Sequence, residues 1–267
     1  MPGRLAGTPQ ERLADALRAV DARVSWTHVR VGVDDRPDWV RCADLVREPE
    51  RLRGWQQRTA DAYGGGADDV DPTLTAAGLV LDAYLAAVVL PAVGAFHLRR
   101  VVPDLHPAAV ALRLGPPGSP VAATAVLDAE PVEGDPGPAE LRERLRAHAA
   151  AFLAAYAPLT RFGRRTCWAA VTDAVDTAFL TAGWVSGEPG RAADESAAVL
   201  GTESADAWAP GAGGSTLHQL TDRRGRRHWT RRRHGCCFLY RMPAAAACLT
   251  CPRVSDAERA AQAADWD

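Results

Sequence analysis

The alternation of apolar and polar residues along the 267-residue chain predicts helices throughout, with a few short strands between them. Thr8, Pro9 and Glu11 form a capping box with proline at the first helical position, and apolar residues then recur at helical spacing. Residues 24–33 alternate between apolar and polar side chains, as a half-buried strand does. The pattern therefore predicts that the chain opens with a capped helix and a strand.

The most apolar stretch, residues 74–98, is long enough to span a bilayer. It contains Asp82 and Pro91, and a membrane span would also need anchoring residues at its two interfaces. We therefore expect a buried helix and no stable membrane insertion. The first residues lack the apolar run that secretory signals contain, so we expect a cytoplasmic protein.

The rest of the pattern divides at a stretch rich in proline, glycine and acid, residues 130–138. The other predicted elements are helices at 50–63, 139–156, 165–183, 192–202 and after Ser255, strands at 107–114 and 120–127, and a hairpin turning at 222–225. Together they predict an α+β fold, helix-rich with a modest antiparallel sheet. The predicted regions are an N-terminal α+β region, 1–133, and a helical region, 134–267.

Charge and composition bear on nucleic-acid binding and on what the arginine-rich segments indicate. The chain has 31 basic and 33 acidic residues and a formal net charge of −2, so it has no overall attraction to nucleic acid. It contains no lysine, asparagine or isoleucine, a bias typical of genomes rich in G and C. Because arginine then replaces lysine everywhere, an arginine-rich segment indicates less about function than it would elsewhere.

Four of the six cysteines, Cys236, Cys237, Cys248 and Cys251, are crowded together near the C-terminus. Disulfides are rare in a reducing cytosol, so this crowding predicts a metal site with four thiolate ligands. Structural zinc sites usually pair cysteines two to four residues apart, which the adjacent pair does not match. The side chains of two adjacent residues can point to the same site only where the backbone turns. A two-iron cluster relaxes that constraint, so the spacing favours iron–sulfur and leaves zinc open.

The same segment resembles the C-terminal signature of the FhuF-type ferric iron (ferric-siderophore) reductases. The residues that carry the resemblance are Arg233, Cys236, Cys237, Tyr240, Cys248, Cys251 and Pro252. A weaker likeness runs upstream through residues 147–175 and includes Pro158 and Trp168. The similarity covers roughly residues 140–254. One departure is the alanine run 244–247, where glycine or polar residues would be expected to line the loop.

The resemblance implies a 2Fe–2S cluster held by the four cysteines of a C-terminal segment, residues 215–254. It also implies an oxidoreductase that reduces siderophore-bound Fe(III) by one electron in the cytosol. Siderophores hold iron with hard, anionic oxygen donors, so reduction to Fe(II) releases the metal. No G-x-G-x-x-G follows a predicted strand, and we therefore expect an external electron donor such as a ferredoxin or flavodoxin.

Several side chains around the cysteines are secondary candidates. We expect Arg231, Arg233 and Arg241 to lie near the cluster, where their charge would raise its potential and attract a ferric siderophore. His234 is expected to form a hydrogen bond or face solvent, since four cysteines already complete the ligand set. Cys42 and Cys167 are expected to be buried thiols.

Two other functions remain open from the sequence. One is a zinc-stabilised module whose arginine-rich hairpin binds nucleic acid, although the leading interpretation predicts no nucleic-acid partner. The other is an iron–sulfur protein that relays electrons or senses redox state without acting on siderophores. Two further groups receive structural interpretations: Asp71 as the cap of the apolar helix, and a set of core aromatic residues, Trp168, Trp184 and Trp229.

Overall fold

The structure is a computed structural model that describes residues 7–34, 36–63, 72–116, 120–127, 135–201, 208, 213–242 and 247–263. The helices are α1 (Pro9–Asp21), α2 (Cys42–Arg47), α3 (Pro49–Tyr63), α4 (Thr73–Arg99), α5 (Pro138–Tyr156), α6 (Arg164–Ser186), α7 (Pro189–Leu200) and α8 (Asp256–Ala263). The strands are β1 (Val29–Val31), β2 (Trp39–Arg41), β3 (Val110–Leu114), β4 (Val121–Val126), β5 (His218–Thr221) and β6 (Arg227–Thr230). The fold is α+β and rich in helix, as predicted.

Local chemistry fixes the ends of the first and last helices. Thr8 accepts a hydrogen bond from the backbone N–H of Glu11, and the Glu11 side chain accepts one from the Thr8 N–H. Ser255 and Glu258 repeat this reciprocal arrangement before α8. Each box satisfies N–H groups that the first helical turn would otherwise leave unpaired. Both predicted helix starts are confirmed.

The long apolar helix α4 is the centre of the core. It packs against α6, α1, α3 and β4, and even its small residues Ala92 and Ala95 are fully buried. Within the described part of the chain, α4 is the one helix long and apolar enough to cross a membrane, and 78% of its most apolar window lies inside the protein. The prediction of a buried helix is confirmed. Asp71, the predicted cap, lies outside the described residues.

The larger sheet differs from the antiparallel sheet predicted. Its strand order is β1-β4-β3-β2; β3 pairs antiparallel with both neighbours, but β1 runs parallel to β4. Parallel neighbours need a long crossover, and the chain between these two strands, which includes α2, α3 and α4, supplies it. Long-range pairing of this kind is not encoded in local periodicity. The predicted antiparallel pairing is present between β2, β3 and β4 and between β5 and β6, and the parallel pairing of β1 that makes the larger sheet mixed was not predicted.

Two short elements were not predicted, and one strand is shorter than predicted. β1 covers three residues of the predicted 24–33, and the chain then turns at residues 37–38, before β2. Asp34 accepts a hydrogen bond from the Trp39 indole N–H at 2.8 Å and pairs with Arg30. This turn leads directly into β2 and α2, which are too short to leave a periodic signal.

One apolar cluster unites both halves of the chain. It contains Leu13 and Val29 from the first region together with Phe152 and Val175 from the second. Residues 128–134, around the predicted boundary, lie outside the described residues. The division into regions 1–133 and 134–267 stays a prediction.

Candidate metal centre

The four clustered cysteines line one small cleft. The first pair follows β6, and the second pair lies on the loop before α8. Cys236, Cys237, Cys248 and Cys251 all border the cleft. Cys237 and Cys251 are buried, whereas Cys236 and Cys248 are partly exposed. The cleft therefore combines a protected floor with access from the surface.

A backbone turn orients the side chains of the adjacent cysteines, Cys236 and Cys237. Phe238, which follows it, has a φ of 61°, in the left-handed region that non-glycine residues rarely adopt. The Phe238 N–H donates to the Cys236 sulfur at 3.3 Å. The chain thus turns directly after the two cysteines, which is the geometry that neighbouring residues need in order to border one cleft.

One thiol of the first cysteine pair contacts one thiol of the second. The thiol of Cys248 donates a hydrogen bond to the Cys237 sulfur, and this bond lowers the pKa of Cys237 to about 6. The backbone N–H of Leu239 and the positive charge of Arg233 act in the same direction. The same contact with Cys237 raises the pKa of Cys248. Cys237 is therefore set up as a thiolate, the form that binds metals.

Asp173 of α6 fixes the approach to the first cysteine pair. Its carboxylate accepts the backbone N–H groups of His234 and Gly235 at 2.8 and 2.9 Å. It also pairs with Arg231 at 3.3 Å and with Arg233 at 3.5 Å. Burial raises the pKa of Asp173, and the two guanidinium groups and the two N–H groups oppose that rise. One buried carboxylate therefore holds the chain just before Cys236.

Arg233 connects the cysteine cleft to both central helices. Its Nη2 donates to the two carboxylate oxygens of Asp82 on α4, at 2.8 and 2.7 Å, while its Nε faces Asp173 on α6. Arg233 also lines the cleft. Its positive charge is held beside the cysteines because carboxylates on two different helices fix the side chain.

The second cysteine pair is held by a buried arginine of α8. The Arg259 side chain is fully buried, and its Nη1 donates to the carbonyl oxygens of Leu249 and Cys251 at 3.3 and 3.1 Å. Asp256, one turn earlier, pairs with the same guanidinium at 3.0 Å. The last helix therefore secures the loop that carries Cys248 and Cys251.

A glycine on α4 allows the cysteine segment to approach the helix closely. A Cβ atom at Gly78 would lie 2.9 Å from the Cys237 carbonyl oxygen and 3.3 Å from its Cα. Thr75, one turn earlier, donates to the Phe238 carbonyl oxygen at 3.3 Å. The first cysteine pair thus packs directly on the backbone of the core helix.

The donors present fit a thiolate-ligated cluster. All four cysteines border one cleft, N–H groups already point at two of the sulfurs, and Arg233 offsets negative charge at the rim. No three His, Cys, Asp or Glu side chains of the described residues lie close enough together to hold one metal ion. A 2Fe–2S cluster takes four thiolate ligands, and the four cysteines that border the cleft are the groups that would hold it.

The three candidate arginines lie in different environments. Arg231 and Arg233 are largely buried and paired with Asp173 and Asp82, so their charge is compensated inside the protein. Arg241 is exposed and has no carboxylate partner among the residues that the structure describes. Of the three, Arg233 borders the cleft itself.

The secondary candidates mostly lie where expected. Cys42 and Cys167 are buried free thiols, and burial raises the pKa of Cys42 to about 12. His234 is exposed and its Nε2 is 2.9 Å from the Gly214 carbonyl oxygen. Trp168 is buried, but Trp184, near the C-terminal end of α6, is 54% exposed. The prediction of Trp184 as a core residue is wrong.

Sequence reasoning missed the carboxylates and the buried arginine that support the cysteines. Asp82 carries a partial signal, since it is a charged residue within a long apolar run. Asp173 and Arg259 carry none, because their partners are known only from the fold. No protein-family model matches the chain, and no curated protein matches it significantly.

Proposed function

We propose that the protein is a 2Fe–2S ferric-siderophore reductase that reduces siderophore-bound Fe(III) by one electron and releases Fe(II). The observation that carries the proposal is the cleft bordered by Cys236, Cys237, Cys248 and Cys251, which is held by α4, α6 and α8 and reaches the surface. The resemblance of the cysteine spacing to the FhuF-type reductases supplies the substrate class.

The four cysteines would hold the cluster, which supplies reversible one-electron chemistry when bound. The rest of the proposal concerns the chain's own groups. The N–H groups of Phe238 and Leu239 stabilise negative charge on the Cys236 and Cys237 sulfurs, and the Arg233 guanidinium does so from the rim. With a cluster bound, all three groups would favour its reduced, more negative state and raise its potential.

Electron exchange needs no bond between protein and substrate iron. Cys236 and Cys248 are partly exposed, so a ferric complex or an electron donor can approach the ligand set from solvent. An external reduced ferredoxin or flavodoxin would supply one electron, which passes to Fe(III) and yields Fe(II). We also infer a cytoplasmic location, where the free thiols stay reduced.

The test is anaerobic visible spectroscopy of the purified protein before and after reduction with dithionite, followed by one equivalent of a ferric siderophore. We expect charge-transfer bands that bleach on reduction and return when the ferric complex is added. Metal analysis should give two irons and two sulfides per chain, as a 2Fe–2S cluster requires.

Other outcomes would overturn the proposal in distinct ways. A colourless protein with stoichiometric zinc and salt-sensitive binding to nucleic acid would establish the zinc-stabilised alternative. Bands that bleach but do not return with any ferric siderophore would replace the reductase by an electron relay or sensor.

A further inference from the structure

The surface around the cysteine cleft is formed by two stretches of chain, residues 157–172 and residues 231–254. The ring of Phe162 stacks on that of Phe238, which follows the first cysteine pair, with the ring centroids 5.9 Å apart. A Cβ atom at Gly235 would lie 3.7 Å from the Cβ of Ala169, so the N-terminal turns of α6 run beside the same cysteine pair. The two stretches therefore share one face of the protein.

This face is positively charged. The two stretches contain eight arginines and no aspartate or glutamate, although the whole chain has slightly more acidic than basic residues. Arg231 and Arg233 are largely buried and paired with carboxylates. The other six are exposed and form no ion pair within the part of the chain that the structure describes: Arg161, Arg164, Arg165, Arg232, Arg241 and Arg253. We call these six the basic face. The bias against lysine explains why its cations are arginines, but it does not explain the absence of acidic residues.

Two arginines of the basic face lie where they disfavour the helix that carries them. Arg164 and Arg165 occupy the first turn of α6, which contains no acidic residue. The partial positive charge at a helix N-terminus favours acidic side chains there and disfavours basic ones. Positions that break a local rule of this kind are expected at functional sites. The two arginines therefore indicate a contact with another molecule.

Apolar and aromatic side chains accompany the arginines beside the cysteines. Leu249, which directly follows Cys248, is 42% exposed. Tyr240 lines the cleft, and the guanidinium carbon of Arg253 lies 4.6 Å from the centre of its ring. Protein–protein interfaces combine an apolar centre with a polar rim, and aromatic residues and arginine are enriched in them. This face therefore suits a protein partner whose own surface is acidic.

We propose that the basic face docks the electron donor, and that this donor is a small, acidic one-electron protein. This inference rests on the proposed function. Because the rest of the chain is net negative, an acidic partner is attracted to this face and repelled elsewhere, which orients its redox centre toward the cysteine cleft. Cys236 and Cys248 are partly exposed there. The partner loses one electron, the four-cysteine site gains it, and no bond forms or breaks.

The experiment measures binding of an oxidised plant-type 2Fe–2S ferredoxin, a small acidic protein, to the purified protein with its metal bound, by titration calorimetry. Arg164→Glu and Arg165→Glu reverse charges of the basic face. Arg146→Glu makes the same charge change on α5, about 15 Å before that helix ends, and is the matched control. At low ionic strength we expect each α6 variant to weaken binding at least about fivefold and the control to weaken it less than about twofold. Added salt should weaken wild-type binding and bring all three variants close to wild type.

Thermal unfolding provides a second readout that separates docking from folding. Glutamate suits the first turn of a helix, so Arg164→Glu and Arg165→Glu are expected to keep or raise the midpoint of unfolding while they weaken binding. Weaker binding together with a lower midpoint in both variants would attribute the loss to a damaged fold and would overturn the assignment of these arginines to the docking contact.

Reduction of the wild-type protein by dithionite and its reoxidation by a ferric siderophore test the proposed function separately. Wild-type affinity for ferredoxin in both α6 variants would overturn the basic face as the docking surface even if the siderophore reoxidises the protein. A colourless zinc protein that binds ferredoxin with the expected sensitivities would retain the docking surface and remove the reductase function. Tighter binding of a DNA duplex or of phosphatidylserine vesicles than of ferredoxin, lost in the same two variants, would overturn the choice of partner.

Discussion

The helical body and the cysteine segment, residues 231–254, are stabilised by different interactions. The body has a large apolar core in which Tyr84 stacks on Phe152 with ring centroids 3.5 Å apart. No described residue of the segment belongs to that core. Buried charges hold the segment instead, chiefly Asp173 and Arg259. The body therefore has its own apolar core, and the segment is held to it chiefly by polar contacts, with Phe238 stacked on Phe162 as an apolar one.

This difference has an energetic consequence. Apolar burial contributes in proportion to area and tolerates small changes, whereas a buried charge is stabilising only while its partners are in place. We therefore expect changes in the segment's polar contacts to disturb the candidate metal centre before they disturb the helices.

The largest effect should come from removing a ligand. Cys237→Ala or Cys251→Ala is expected to abolish the visible absorption of the proposed cluster while far-UV circular dichroism keeps its helical signal, because the core does not include the segment. Cys42→Ala and Cys167→Ala are the matched controls in the body and should keep the absorption. Loss of colour in either control would make our ligand assignment wrong.

The second-largest effect is expected from replacing Asp173, the buried carboxylate that pairs with Arg231 and Arg233. Asp173→Asn leaves Arg231 without its charged partner, and breaking a buried ion pair on one side costs about 3–5 kcal/mol. In a urea titration we expect the visible bands to disappear at a lower concentration than helicity. Asp194→Asn, exposed on α7, is the control and should behave as wild type. Simultaneous loss of both signals would contradict the separate behaviour of body and segment.

A buried histidine, His148, should make the stability of the helical body depend on pH. The Tyr84 hydroxyl lies 2.8 Å from Nε2 of His148 and the Leu105 carbonyl 2.5 Å from Nδ1, an arrangement that suits the neutral ring. Burial lowers the pKa of His148 from 6.5 to about 4. The unfolded chain then takes up its proton at higher pH than the folded one. The free energy of unfolding is therefore highest above pH 6.5 and falls between pH 6.5 and 4. Below pH 4 it is about 3 kcal/mol lower.

Urea unfolding followed by circular dichroism at several pH values checks this slope. His148→Gln removes the titrating group, so its stability should depend less on pH between 6.5 and 4, even if the variant is less stable throughout. An unchanged slope in the variant would assign the acid sensitivity to other groups.

The sequence predicted the body better than the surroundings of the cysteines. The Thr8 capping box and the burial of α4 were predicted because helix signals act over a few residues. The four cysteines were predicted to lie together for the same reason, since they are near one another in the chain. The parallel pairing of β1 with β4 was not predicted, because it joins distant segments.

The contacts that support the cysteines were not predicted either, because they too join residues that are distant in the sequence. Arg233 and Asp82 are 151 residues apart in sequence, and Arg231 and Asp173 are 58 apart. A single sequence carries no periodic signal for such pairs. Physical reasoning from one chain can therefore find the ligands of a site before it finds the residues that position them.

The smallest predicted effect concerns the close packing of segment on body. Gly78→Ala would put a Cβ 2.9 Å from the Cys237 carbonyl oxygen, so the segment must shift, at a cost of about 1–3 kcal/mol. We expect changed g-values or linewidths in the electron paramagnetic resonance spectrum of the reduced protein, with helicity retained. Gly54→Ala, in the middle of α3, is the matched control.

That control should act in the opposite direction. A Cβ at Gly54 meets only the flexible end of Arg58, at 3.5 Å, so alanine is expected to stabilise the helix by about 0.5–1 kcal/mol. The two substitutions are chemically identical and both lie in helices; they differ in whether the cysteine segment lies against the helix. An unchanged spectrum in Gly78→Ala would mean that the segment can move away from α4 without altering the metal centre. The close contact would then be packing alone, and the comparison of body and segment would rest on Asp173 and Arg259.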